Sequence, residues 1–138
     1  EQGQYAPVGH YTFADYPNGG LRASAYDLAR FVVAHLQGGS LNGVQILAPE
    51  TVAEIFTEQA SRPAGPQGWM WYQSTWSGEN WWGHGGAEKG VWTETFFRES
   101  DTMGFVVLTN GDANNPYPLY DIEDALLLWA ESLEDAEL

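Results

Sequence analysis

Trp81-Trp82-Gly83-His84-Gly85-Gly86-Ala87 is the stretch whose residue types could do chemistry. It holds one of three histidines, two of seven tryptophans and three of sixteen glycines. Glycine is normally kept out of strand interiors, because it packs nothing and loses the most backbone entropy on ordering. Three glycines around one histidine therefore read either as a place where something approaches the backbone closely, or as a turn carrying a surface histidine. The other histidines suit structural roles. His10, in Gly9-His10-Tyr11, reads as a loop residue packing on Tyr11, and His35 falls in a helix's last turn, where the dipole favours a partly positive ring. No pair forms H-x-x-x-H, so no metal site is expected. There is no G-x-G-x-x-G, no phosphate loop and no G-x-S-x-G elbow, and no cofactor is expected.

Composition narrows the function classes. The chain has 138 residues and a formal charge of −14, with one lysine, Lys89, and four arginines. That length fits one domain or part of one. A basic stripe for phosphates cannot be built, so nucleic acid and anionic membrane surfaces are discounted as partners. With no cysteine, there is no disulfide, thiolate chemistry or Cys-based metal site. No apolar run reaches the length of a membrane span, and no signal-peptide pattern opens the chain. Glu1-Gln2-Gly3-Gln4 reads as the middle of something longer.

The elements that must position the glycine-rich stretch follow from periodicity. Residues 1–20 read as an irregular loop that covers a surface. Ser24 with Asp27 has the form of a helix cap; Ala25, Leu28, Ala29, Val32 and Leu36 follow at helical spacing, and Gly38-Gly39 stops the helix. Gly43 to Leu47 is a short extended piece. Pro49 starts a second helix, with Val52, Ile55 and Phe56 as its buried stripe. Residues 61–67 read as a loop. The period then changes to two, and strands are expected over 68–74, 81–85, 91–97 and 103–109, pairing antiparallel through short turns. Val91 to Phe97 alternates Val and Thr against Trp, Glu and Phe. Residues 110–118 read as a loop. A last helix, from about Leu119 to Leu133, carries Ile122, Ala125, Leu126, Trp129, Ala130 and Leu133 as the stripe that covers the sheet. The tail 134–138 is acidic and expected to fray. The fold class is α+β: two helices, then an antiparallel sheet of about four strands covered by a C-terminal helix.

Four pieces, in order, resemble the C-terminal part of the serine β-lactamase-like family, which includes class C β-lactamases, DD-peptidases and esterases. They are Gly19-Gly20-Leu21-Arg22-Ala23-Ser24-Ala25-Tyr26-Asp27-Leu28-Ala29-Arg30-Phe31, Leu47-Ala48-Pro49-Glu50-Thr51-Val52, Gly83-His84-Gly85-Gly86 and Val106-Val107-Leu108-Thr109-Asn110. The similarity runs from about Tyr16 to Trp129 and implies a partial β-lactamase/transpeptidase-like fold. The family uses three motifs: S-x-x-K with the nucleophilic serine, Y-x-N, and K-T-G or H-x-G. Only the third is present, as His84-Gly85-Gly86. Lys89 has Gly86 three residues before it, so S-x-x-K is absent. Tyr16-Pro17-Asn18 spells Y-x-N but reads as a turn.

Acyl transfer through a serine develops negative charge on the substrate's carbonyl oxygen, and a backbone N–H aimed at that oxygen stabilises it. Small residues at Gly85, Gly86 and Ala87 would leave such an approach open. By resemblance, the Ala87 N–H is one oxyanion donor and the missing nucleophile supplies the other. His84 stands where the family has Lys or His, orienting proton transfer or meeting a substrate carboxylate. His84, Gly86 and Ala87 are thus the catalytic candidates, with Gly85 and Glu88 beside the substrate; Glu88 and Lys89 also suit plain turn decoration. The resemblance implies a small-molecule or peptidoglycan-like acyl substrate in the parent, a periplasmic or extracellular location, and an inactive isolated chain. It also implies an unpaired sheet edge, where family members place N-terminal strands, and so a possible homodimer. A second reading is a carbohydrate-binding or other recognition module, with Trp69, Trp71, Trp76, Trp81, Trp82 and Trp92 as a stacking platform; burial of most of them would assign them to the core.

Overall fold

Ser24 starts the first helix as its sequence implies. Its Oγ accepts the Asp27 N–H at 3.1 Å and its hydroxyl donates to Asp27 Oδ2 at 2.8 Å, at the head of α1 (Ala25–Leu36). The computed structural model describes residues 6–76, 78–100, 102–111, 115 and 117–134. The expected fraying of the tail therefore concerns residues beyond 134, outside the described set, as do parts of the loops over 1–20 and 110–118. Gly38 and Gly39, at φ 66° and 87°, end α1. The Gly39 carbonyl accepts the N–H groups of Ile46 and Leu47. A small hairpin, β1 (Ser40–Leu41) and β2 (Val44–Gln45), turns at Asn42-Gly43, both with positive φ. Pro49 opens α2 (Pro49–Ile55), which buries Val52.

The sheet has six strands rather than four, antiparallel throughout and in chain order. They are β3 (Ala60–Arg62), β4 (Gly65–Gln67), β5 (Tyr72–Trp76), β6 (Glu79–Glu88), β7 (Val91–Arg98) and β8 (Met103–Thr109). The expected loop over 61–67 is thus a hairpin, with Gly65 at φ 122° and Pro66 inside β4. Three-residue strands are too short to show a period, and proline and glycine disguise them. The expected strand over 68–74 begins four residues later. Gly68 and Trp69 are held by the turn instead: the Gly68 N–H donates to the Trp71 carbonyl, and the Trp69 N–H to the carbonyl of Ile55 at the end of α2.

Side chains alternate between two cores. Trp81, Phe96, Met103, Phe105 and Val107 pack with Leu119, Leu126, Leu127 and Ala130 of α3 (Tyr117–Glu134). Trp82, Phe97, Val106 and Trp71 pack with Val32 and Leu36 of α1 and with Ile55 and Phe56. The sheet therefore lies between α3 on one face and α1 and α2 on the other. The buried side of α3 matches the expected stripe only in part: Leu126 and Ala130 pack on the core, but Ile122, Trp129 and Leu133 are exposed, while Leu119 and Glu123 are buried. A glutamate interrupts the true stripe, so the apolar count favours the wrong side. His35 is a core residue, edge-on to Phe31 and Trp71, with its Nδ1–H donating to the Phe31 carbonyl at 2.9 Å. The N-terminal segment touches the tip of the β6–β7 hairpin, where the Tyr11 hydroxyl donates to the Lys89 carbonyl at 3.0 Å. The ring packed on Tyr11 is Phe13, edge-on at 5.5 Å, and His10 is exposed.

Candidate active-site strand

Strand β6 carries the whole glycine-rich stretch. A two-residue turn, Lys89-Gly90 with Gly90 at φ 77°, closes the β6–β7 hairpin on the pair Glu88 and Val91. Such a turn ends on a hydrogen-bonded pair. Backbone groups alternate sides along a strand, so Trp82, His84, Gly86 and Glu88 bond to β7, while Gly83, Gly85 and Ala87 direct their N–H groups to the other edge. There β5 pairs with β6 only as far as Tyr72 opposite Gly83. Residues 84–88 of β6 therefore lie beyond the end of β5. The Gly85 N–H is taken by the Tyr72 hydroxyl at 3.0 Å. The next N–H along this open edge is that of Ala87.

The three glycines have three different neighbours. A Cβ on Gly83 would lie 2.0 Å from Phe96 Cδ1, so the close approach at this position is made by a core ring. A Cβ on Gly85 would lie 3.3 Å from Tyr72 Oη and 3.7 Å from Glu94 Oε1. A Cβ on Gly86 would lie 3.0 Å from Thr93 Oγ1, on an exposed part of the strand. His84, Gly86, Ala87 and Glu88 are all exposed. The His84 Nδ1–H donates to the Gly85 carbonyl at 2.7 Å, and its ring lies 5.5 Å from that of Tyr72. With Nδ1 so engaged, the neutral ring keeps its lone pair on Nε2. Tyr16–Asn18 forms one exposed turn, with Asn18 tied to Asp15.

Beneath Gly85, on the α3 face, lies a polar cluster that the sequence reading does not single out. Glu94 on β7 accepts the Trp92 Nε1–H at 3.2 Å, and its carboxyl neighbours that of Glu123 on α3. Burial pushes the Glu123 carboxyl up to about 8, and the neighbouring Glu94 adds to it. Burial also raises Glu94. The Tyr72 hydroxyl is raised by burial and then by the charge of Glu94, against the Gly85 N–H and Arg62, which lower it. The Arg62 guanidinium lies 4.7 Å over the Tyr72 ring. One signal for this cluster is in the sequence: Glu94 has the same parity as Trp92 and Phe96, a carboxyl on an apolar face. Glu123, four residues after Leu119 and three before Leu126, is the other.

Among the described residues no group of His, Cys, Asp and Glu could hold a metal ion, and no helix is long and apolar enough to cross a membrane. Trp71, Trp81 and Trp82 are buried, and Trp76 and Trp92 pack against the core. Of the six clustered tryptophans only Trp69 is well exposed, at 62%. Five of six thus serve the core rather than a stacking platform.

Among the described residues the fold is a six-stranded antiparallel sheet with helices on both faces. The octameric penicillin-binding protein homologue from Pyrococcus abyssi shares this fold, with a TM-score of 0.61 at 21% identity over 77% of this chain. The match spans 24% of that protein's length. The Beta-lactamase family matches residues 1–128, and the chain belongs to that family. No curated protein matches the chain.

Proposed function

We propose that this chain is the C-terminal portion of a single β-lactamase-like domain and forms one wall of a serine acyl-hydrolase site. The observation that carries the reading is the open edge of β6, where the Ala87 N–H follows the last N–H occupied from within the chain. A substrate laid along this edge places its carbonyl oxygen at Ala87, between Gly85 and Glu88. A second donor, at the serine supplied by the rest of the parent, completes the oxyanion hole. His84 stands at the rim, with Nε2 free to accept a proton or, when charged, to meet a substrate carboxylate. Gly86 keeps the approach clear. The substrate is an acyl compound with an amide, β-lactam or ester bond. Strand β8, paired on one side among the described residues, offers its other edge to a strand of the parent or of a second copy.

The chain carries no S-x-x-K, and its one Y-x-N, Tyr16-Pro17-Asn18, forms an exposed turn, so alone it has no hydrolase activity. The test is hydrolysis of a chromogenic ester and of a cephalosporin by this chain and by a longer parent with its serine intact. Activity confined to the parent supports the reading. Activity in the isolated chain, or in neither protein across several acyl substrates, overturns it.

A further inference from the structure

The carboxyl pair beneath Gly85 has no task in the acyl-transfer reading, yet it is built against the same strand. We propose that Tyr72 and Glu94 are positioning residues for the Ala87 edge, with Glu94 acting as one half of a carboxyl–carboxylate pair that shares a proton with Glu123. This inference rests on the reading of β6 as the oxyanion-donating strand.

Gly85 is clasped from two directions. Its N–H is held by the Tyr72 hydroxyl at 3.0 Å, and the space where a side chain would stand is filled by Tyr72 Oη and Glu94 Oε1. Glu94 is fixed in turn by the Trp92 indole, which donates to its Oε1. Glu123 is 4% exposed, and its Oε1 is buried without a hydrogen-bond partner. Two carboxylates in contact away from water cannot both ionise unless a cation compensates them. Helix α3 has no lysine or arginine over Tyr117–Glu134. The groups facing the pair are Tyr72 of β5, Tyr120 and Asp124 of α3, and Trp92 of β7, with Tyr117 next to Tyr120. Strand β8 presents Val107 opposite Glu94. Arg62 of β3 lies over the Tyr72 ring, and His84 of β6 lies beside that ring. Among the described residues no cation forms an ion pair with either carboxyl, so a shared proton holds them together. That proton joins α3 to β7 at the position paired with Gly85 of the site strand. Its loss puts a second charge beside the Tyr72 hydroxyl, loosens the clasp on Gly85 and shifts the Ala87 N–H two residues on.

The experiment is a pH titration followed by amide and indole NMR, on the wild-type chain and on Glu123→Gln. The amides of Gly85 and Ala87 and the indole N–H of Trp92 are expected to move together in one transition well above the ordinary carboxylate range. In Glu123→Gln, whose neutral amide mimics the protonated acid, they are expected to stay at their low-pH positions. The absence of a common transition, or its persistence in the variant, overturns the proposal. Should the variant fail to fold, side-chain carboxyl titration of the wild type decides: separated midpoints for Glu94 and Glu123 support the pair, and two ordinary midpoints overturn it. Tyr72→Phe removes only the hydroxyl. Its expected result is at least tenfold faster solvent exchange of the Gly85 amide, and an unchanged rate refutes the positioning role. None of these readouts involves a substrate, so a hydrolytically inactive parent would refute the functional reading while leaving the proton-sharing pair to be judged on its own titration.

Discussion

Replacing Gly83 by alanine should damage the fold rather than the site. The new Cβ would stand 2.0 Å from Phe96 Cδ1 and 2.3 Å from Cγ, where carbon contacts prefer about 3.5–4.0 Å. The ring would have to retreat by about 1.5 Å to restore that distance. It has little room to do so, because Phe96 is buried with ring centroids of Trp76 at 4.5 Å, Tyr72 at 5.6 Å and Phe105 at 6.1 Å. Overpacking of this kind costs about 1–3 kcal/mol. Reduced freedom of the unfolded chain offsets roughly 0.4–1 kcal/mol of it. A net loss of about 1.3 kcal/mol is expected, which at an m-value of about 1.5 kcal/mol/M lowers the urea midpoint by about 0.9 M. Gly86→Ala is the control: its Cβ meets a rotatable, partly exposed Thr93 hydroxyl at 3.0 Å, and the expected change is within about 0.5 kcal/mol. Adding Phe96→Leu to Gly83→Ala should show a coupling of at least about 1 kcal/mol. If Gly83→Ala unfolds at the same midpoint as Gly86→Ala, the ring does not lie on Gly83 and the reasoning fails.

Other outcomes follow from single residues. Glu123 has a folded value of about 8 against an ordinary 4.5, so between those values the folded state holds the extra proton. Its contribution to stability is therefore complete below about 4.5, declines by about 1.4 kcal/mol per pH unit as pH rises, and levels off above about 8. Urea melts at pH 5 and pH 8 should show the decline in wild type and a flatter profile in Glu123→Gln; parallel profiles would remove the effect. Ser24→Ala loses the cap on α1 and should lower stability by about 1 kcal/mol, read as a fall in melting temperature. Gly39→Ala places a Cβ 2.2 Å from the Leu47 carbonyl at a φ of 87°. A loss larger than that of Ser24→Ala is expected, and a melting temperature equal to wild type would contradict the geometry of the α1–β1 turn.

Much of this architecture is legible in the sequence where one local signal dominates. Ser24 with Asp27, the Gly38-Gly39 stop and Pro49 fix α1 and α2, because caps and breakers act over a few residues. Residues 91–97 and 103–109 read correctly as strands, because their periodicity is long enough to count. The β3–β4 hairpin does not read, since Gly65 and Pro66 resemble loop chemistry until a neighbouring strand pairs with them. Strand β5 is misplaced because Trp69 to Tyr72 form a strand-favouring apolar and aromatic run, while the backbone of Gly68 and Trp69 is committed to Trp71 and to α2. That choice is tertiary. On α3, Glu123 occupies a core position and shifts the apparent apolar stripe onto Ile122 and Trp129. The site divides the same way. The H-x-G stretch is visible as composition, but only the register distinguishes Gly83, which accommodates Phe96, from Gly85, which is clasped by Tyr72 and Glu94. The partner of Glu94 lies 29 positions away in the chain, and no local pattern connects them.

The most direct test of the open edge is Ala87→Pro in a longer, hydrolytically active parent. The Ala87 N–H faces away from β7, so proline deletes a donor on the open edge without removing a bond of the β6–β7 ladder. The account predicts a protein that melts close to wild type while kcat on a chromogenic ester falls by roughly 10²–10³, the loss of one oxyanion donor. A folded variant that hydrolyses the ester at the wild-type rate would contradict it.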